Sequence, residues 1–396
     1  MRGAGRRLLV LGLAAVALAA CGSSGTATSV TASGTSVPLR HARTFSITQN
    51  DGYRVVQLRA SITTWGGAAE GPEQQATVVL VPRDREPPPL TGELAGATLV
   101  RTPVERIAVN YAPVEAMAKA LGVSDRLVAV GGRQSYDDAV RDRVLRREIA
   151  QVGYGWHMPP ELDALLGSRP DVFLMAMAEL SHAEQLQRAN ELGVPTLPVF
   201  ADAELDYMGK VDYMILFGML VGRESQAEAY VAEVEQRVAA LKELAARQPR
   251  RRVLSAWYGG SDVWMVTLRN AEAALIRDAN AEVVMQKPDD PRRDSSERIG
   301  TEVLLRDAID ADCWVSRDTL SEPYRDAAVL RHFKAYREGC MFAADGRSRR
   351  DIDSYDIYET APIRPDLLLG DYIRMLHPAL RTEPFVYVQP DVMVPK

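Results

Sequence analysis

The chain has 396 residues, 46% of them hydrophobic and 25% charged, enough apolar material for two domains with sizeable cores. Its net charge is −6, and removing a leader that contains Arg2, Arg6 and Arg7 leaves the remainder more acidic, which argues against nucleic acid as a partner. The 5 histidines form no HExxH pair or zinc-type Cys/His spacing, and there is no Walker, GxGxxG or GxSxG motif, so neither an enzyme nor a catalytic cofactor is expected.

The three arginines precede an apolar run over residues 8–20, too short to span a bilayer as a mature anchor. The run ends in Leu18-Ala19-Ala20-Cys21, which resembles the lipobox of a bacterial lipoprotein signal. Residues 1–20 would be removed, and lipidated Cys21 would become the first mature residue. Ser, Thr and Gly then dominate, so residues 21–37 read as a flexible tether off the membrane. Residues 38–103 are β-rich. Runs at 45–47, 53–58 and 76–81, separated by Asn50-Asp51-Gly52 and by a loop at Trp65-Gly66-Gly67, predict a small antiparallel extension.

Residues 104–210 alternate short apolar runs with helical patterns. Strands are expected at 106–110, 127–130, 172–177 and 195–200, and helices at 112–121, 159–167 and 182–192. This is the signature of a mostly parallel sheet covered on both faces. The stretch 211–247 contains no proline, and Ala227, Tyr230, Val231, Val234, Val238, Leu241 and Leu244 recur at helical steps. It predicts one long rigid helix of roughly 50 Å at about 1.5 Å per residue, joining two lobes. Residues 248–396 restart the alternation, with strands at 252–258, 262–268, 310–316, 339–343 and 385–388, and helices at 271–279, 301–308 and 366–376. The pair 301–316 repeats the arrangement of 161–177: acidic helix start, short helix, aspartate, apolar strand. The expected fold class is therefore α/β, two lobes joined by a helix, with a small β extension. Cys313 and Cys340 each lie in an apolar run, and either a disulfide or two buried thiols fits them.

Taken together, RIAVNYAPVEAMAKALGVSDRLVAVGG, PPELDALLGSRPDVFLM, LGVPTLPVF, the linking helix, IGTEVLLRDAIDADCWVS and RPDLLLGDYIRMLHPAL resemble a class III periplasmic substrate-binding protein of ABC importers. That group handles ferric siderophores, vitamin B12 and haem. The resemblance covers roughly residue 39 to the end. It implies an exported, lipid-anchored monomer that passes an iron(III) chelate, a ferric siderophore first of all, to an ABC permease dimer. Haem or a corrinoid is the alternative ligand class, and a tethered sensory lipoprotein the alternative role. It also implies one outward glutamate per lobe to meet permease arginines, and Glu161 in PPELDALL and Glu302 in IGTEVLLR match by context.

Ligands of open α/β sheets sit beyond the carboxyl ends of the strands. Those ends offer Tyr111, Arg133, Tyr154, Trp156, His157 and Glu179 in the first lobe. In the second they offer Trp257, Tyr258, Arg292 and Arg317. Aromatic rings supply flat apolar contact, and guanidinium forks match carboxylate or catecholate oxygens. His157, or a Tyr154 or Tyr258 phenolate, could reach the metal directly, while Asp289 and Asp290 read as a charged surface loop.

Overall fold

The computed structural model describes residues 34–63, 70–155, 159–178, 180–286, 295–316 and 328–391. The leader, Cys21, the loop at Trp65 and the pair Asp289–Asp290 lie outside them. The N-terminal sheet contains β1 (Thr35–Ser36), β2 (Phe45–Asn50), β3 (Tyr53–Thr63), β4 (Glu70–Pro82) and β5 (Thr98–Thr102), in that spatial order. The turn at Asp51-Gly52 joins β2 to β3, with Gly52 at φ 80°, and alternate residues of β2 (Phe45, Ile47) point into the core. The tether is shorter than expected, because Thr35 and Ser36 already pair with β2. The sheet is antiparallel through β4, but β5, which the sequence reading missed, adds in parallel.

The first lobe holds β6 (Ile107–Val109), β7 (Leu127–Val130), β8 (Ala150–Gln151), β9 (Val172–Ala176) and β10 (Thr196–Val199). All pairings are parallel, in the order β10-β9-β6-β7-β8. Every residue of β6, β9 and β10 is buried, as a sheet covered on both faces requires. Its helices are α1 (Ala112–Ala120), α2 (Asp138–Leu145), α3 (Leu162–Ser168) and α4 (His182–Glu191). Helix α2 escaped the sequence reading because it buries only Val140 and Val144; its start is fixed by Asp137, whose carboxylate accepts the Ala139 and Val140 N–H groups. Helix α3 ends not at Gly167 but at Arg169, in the left-handed conformation at φ 46°.

The expected single rod is two helices, α5 (Tyr207–Val221) and α6 (Glu224–Ala246). Gly222 takes φ 69°, and its N–H and that of Arg223 both return to the Gly218 carbonyl, which ends α5. A Cβ on Gly218 would lie 2.5 Å from the Ala227 Cβ, so α6 leaves by crossing directly over the last turn of α5. Helix α5 is buried almost all round, packing against α1, β5, α6 and α7. Helix α6 buries Ala227, Val231, Val234, Val238 and Ala245, and runs about 35 Å at the standard rise. Among the described residues no helix is long and apolar enough to cross a membrane.

The second lobe is built on β11 (Arg251–Gly260), β12 (Val263–Arg269), β13 (Ala281–Val283), β14 (Ser295–Gly300), β15 (Cys313–Ser316) and β16 (Met341–Ala343). A two-stranded ribbon of β17 (Ser348–Arg349) and β18 (Ser354–Tyr355) follows, then β19 (Gln389–Pro390). Strands β13, β11, β15 and β16 pair in parallel, whereas β12, β14 and β19 join antiparallel. Its helices are α7 (Ala271–Asp278), α8 (Thr301–Ala308), the short α9 (Lys334–Arg337) and α10 (Pro365–Leu376). Cys313 and Cys340 form a disulfide between the starts of β15 and β16. Residues 385–388 are not the strand expected from their composition. The buried Asp371 carboxylate accepts the N–H groups of Val386, Tyr387 and Val388, so that backbone is satisfied without a sheet.

The repeat between lobes extends to hydrogen bonds. Asp171, just before β9, accepts the Arg106 N–H at 3.1 Å beside β6. Asp312, just before β15, accepts the Arg252 N–H at 2.8 Å in β11. The crossing at Gly218 predicts that Gly218→Ala lowers stability by about 1–3 kcal/mol, because the added methyl has no room. Gly167→Ala, where a Cβ meets nothing within 4 Å, should not destabilise. Denaturant unfolding of the two variants checks the contrast.

Candidate functional site

In the first lobe the chain starts at β6, builds outward through β7 and β8, then crosses to β9 and β10 on the other side. The crevice for a ligand of such a sheet lies between the carboxyl ends of β6 and β9. Asn110 closes its floor. It is 1% exposed, its Oδ1 accepts the Ala176 N–H at 2.8 Å, and its carbonyl accepts the Gly155 N–H at 3.0 Å.

The site residues expected from sequence separate in this frame. Tyr111 follows β6, but it is 5% exposed and its hydroxyl donates to Asp202 at 3.0 Å, so it ties the start of α1 to the loop after β10. Burial, reinforced by Asp202, pushes its phenol well above the usual range. Arg133, beyond β7, is exposed. Tyr154, beyond β8, lays its ring against Gly131, where a Cβ would come within 2.1 Å of it, and points its hydroxyl inward at Glu115, 3.3 Å away. Burial and the Glu115 charge raise its phenol too, which disfavours the phenolate needed for direct metal ligation. Trp156, His157, Glu179, Arg292 and Arg317 lie outside the described residues.

Trp257 and Tyr258 were expected at a strand end. Instead β11 continues past both into a hairpin with β12, and neighbouring strand residues face opposite ways. Tyr258 belongs to an aromatic column in which its ring meets Trp264 at 5.3 Å, Trp264 meets Trp314 at 5.1 Å and Trp314 meets Phe333 at 5.0 Å. Trp257 is half-buried on the other face, with Ser255. The two aromatics therefore do not line one surface. Glu161 and Glu302 are both exposed at helix starts, Glu161 as the residue before α3 and Glu302 as the second residue of α8.

The structure brings together a set the sequence reading did not name. The loop after β7 (Ser135 to Asp138) meets the segment after β16 (Asp345 to Thr360), both beyond carboxyl ends of parallel strands. Glu359 Oε2 accepts the Tyr136 N–H at 2.6 Å. Arg347 and Arg349 lie over the Tyr136 ring at 5.5 and 4.9 Å, Arg349 also pairs with Asp138, and Arg347 pairs with Asp356 at 3.0 Å. Glu115, inside α1 and 1% exposed, faces the same place. Burial, then the nearby Glu359 charge, raises its carboxyl well above the ordinary range, and burial pushes Glu359 up to about 7. The available signal was a lone carboxylate in APVEAMAKA, a helix that buries every residue from Pro113 to Ala118. An open depression of about 750 Å³ lies at the opposite, amino ends of β7 and β8. It is not a ligand site of this kind, because Arg106 and Arg143 at its wall are spent on the carbonyls of residues 168–169, 124–125 and 127. Among the described residues no group of three or more His, Cys, Asp or Glu is arranged to hold a metal ion.

The sequence profile described as "Periplasmic binding protein" matches residues 107–347. Among curated proteins none matches. Solved structures share the fold. A periplasmic haem-binding protein from Pseudomonas aeruginosa is 19% identical, with a TM-score of 0.56, over 73% of this chain and 98% of its own. The periplasmic haem-binding protein RhuT from Roseiflexus sp. RS-1, in apo form, is 20% identical, with a TM-score of 0.52, over 70% and 99%. The siderophore-binding protein BauB, bound to a complex of two acinetobactin molecules and ferric iron, is 14% identical, with a TM-score of 0.53, over 81% and 99%.

The contact of Tyr154 with Gly131 predicts that Gly131→Ala displaces the ring and breaks its bond to Glu115. That variant should lose about 1–3 kcal/mol of stability. Tyr154→Phe, which removes the hydroxyl alone, should lose about 1 kcal/mol. Thermal or denaturant unfolding of the pair measures the difference.

Proposed function

The chain belongs to the periplasmic binding protein family, and on that premise we propose that it is a substrate-binding lipoprotein that captures an iron(III) chelate between its two lobes and hands it to an ABC permease dimer. The observation that carries this reading is the extent of the family match, which runs from β6 of the first lobe to the segment after β16 of the second. It thereby spans the carboxyl ends of parallel strands in both lobes. A ferric siderophore is the ligand of choice: the exposed Arg133 beyond β7 suits anionic oxygen donors, and BauB, of like fold, carries a ferric siderophore complex. Haem is the second reading, favoured by the fold shared with the Pseudomonas aeruginosa and Roseiflexus proteins. In either case the chain acts by binding, as a monomer, on the extracytoplasmic side. Cys21 would carry the lipid anchor, and residues 22–34 would give it reach.

Absorbance and mass of whatever co-purifies with the mature protein test the ligand. A ferric siderophore gives a ligand-to-iron charge-transfer band and the mass of the free chelator, whereas a porphyrin Soret band would replace the first reading by the second. Delivery is tested separately. Exposed charges that meet permease arginines act on encounter and register, so Glu161→Lys with Glu302→Lys should abolish uptake while soluble ligand affinity stays near wild type. Normal uptake would leave the two glutamates only their favourable place at helix starts, worth about 0.3–1 kcal/mol each.

A further inference from the structure

The contact between the loop after β7 and the segment after β16 has an unbalanced charge count. Four carboxylates meet there, and all are nearly buried: Glu115 is 1% exposed, Asp356 0%, Glu359 4% and Asp137 9%. Two have cations of their own. Lys119 reaches Asp137 at 2.6 Å, and with the two backbone N–H groups at the start of α2 it holds that carboxyl below its usual range against the cost of burial. Arg347 faces Asp356 at 3.0 Å. Among the described residues neither Glu115 nor Glu359 is bonded to a cation. Glu115 receives the Tyr154 hydroxyl at one oxygen, and Glu359 receives the Tyr136 N–H. Two neighbouring carboxylates without counterions cannot both stay ionised at little cost away from water.

These two groups come from different lobes. Glu115 is on α1 of the first lobe, and Glu359 is on the chain that leaves the second sheet, 223 residues from its partner Tyr136. What else bridges the lobes here is at least partly open to water: Arg347 and Arg349 lie over the Tyr136 ring, and Arg349 pairs with Asp138, whose side chain is 65% accessible. Such a pair contributes little, and salt screens it. The buried carboxyls are therefore the part of this contact that responds to pH.

We propose that Glu115 and Glu359 form a proton-operated clasp: with a proton bound, the segment after β16 stays closed on the first lobe, and on its loss the lobes are freed to part. The consequence for ligand retention rests on the reading of the lobes as the jaws of a binding protein. The sign follows from burial. In the parted arrangement Glu359 meets water and ionises near the ordinary 4.5; in the closed one it is pushed up to about 7, beside a Glu115 carboxyl that burial in α1 keeps raised. Closure thus takes up protons. Its advantage is complete below about 4.5 and is lost as pH rises through about 7. Of the other groups facing the pair, Asp356 is itself raised by burial, opposed by Arg347, and so works in the same direction. Lys119 is raised by its bond to Asp137, and both stay charged throughout this range. The Tyr154 phenol stays neutral.

The test uses the full mature chain without any chelate, spin-labelled at Glu191→Cys and Asp310→Cys, two exposed positions away from the clasp. Dipolar distances are read from about pH 5.5 to about pH 8.5. The wild type should give one narrow distance in acid and a second, displaced population above neutrality, with a midpoint near 7. Glu359→Gln, which keeps an acceptor for the Tyr136 N–H but cannot ionise, should keep the narrow distance across the range. If Glu359→Gln does not fold, Glu115→Gln decides by the same criterion. A wild-type distance that does not change with pH, or a displaced population undiminished in the glutamine variant, overturns the clasp. Because no ligand is present, the outcome is independent of which chelate the protein carries, or whether it carries one.

Discussion

Buried carboxylates that collect backbone N–H groups hold this molecule together wherever its sheets stop. Glu204 takes the Arg43 and Thr44 N–H groups, Asp212 takes those of His41 and Ala42, and Asp371 takes three in a row from residues 386–388. Each of these bonds is charge-assisted, and each donor left without a partner in the interior would cost about 1–3 kcal/mol. The N-terminal segment is thereby fixed to the loop before α5 and to α5 itself, and the C-terminal segment to α10. Asp171 and Asp312 do the same at matching places in the two lobes, each setting the start of one parallel strand against its neighbour. Strand starts set in this way fix where the carboxyl ends come out, and the carboxyl ends are where a ligand is met.

Glu359 uses the same bond in a different setting. Asp371 joins parts of one packed core, where its charge is steadied by Arg374 and the donors cannot move away. Glu359 instead reaches from one lobe to a loop of the other, lacks a cation, and has a second carboxyl beside it. The same hydrogen bond is a permanent fixture in the first setting and a conditional one in the second. What differs is the balance of charge and that the two sides belong to different lobes.

Much of the architecture was legible because it rests on local pattern. The apolar runs at 106–110, 172–177 and 310–316 read as buried parallel strands because two covered faces demand uninterrupted apolarity. The acidic helix starts and following aspartates of the two lobes read as a repeat, and the structure gives those aspartates equivalent bonds. The rod was misread for a physical reason: Gly218 and Gly222 were visible, but that one makes room for Ala227 and the other turns left-handed emerges only when α6 folds back over α5. Likewise 385–388 has strand composition, but the N–H groups of residues 386–388 are taken by Asp371, fifteen or more positions earlier. The candidate site was less legible still. Tyr111 stands near a strand end in sequence, yet it is buried against Asp202, while Tyr258 lies within β11, half-buried against Trp264. Tyr136 and Glu359 come together over 223 residues, and no local pattern announces such a meeting.

The central claim is that the two lobes take up a metal chelate. Calorimetric titration of the ligand-free mature protein with a ferric catecholate, a ferric hydroxamate and haem, each in turn, tests it most directly. Saturable binding of one of them at one molecule per chain, with the iron-free chelator binding much more weakly, is the result predicted here. A folded protein that takes up none of the three would contradict it.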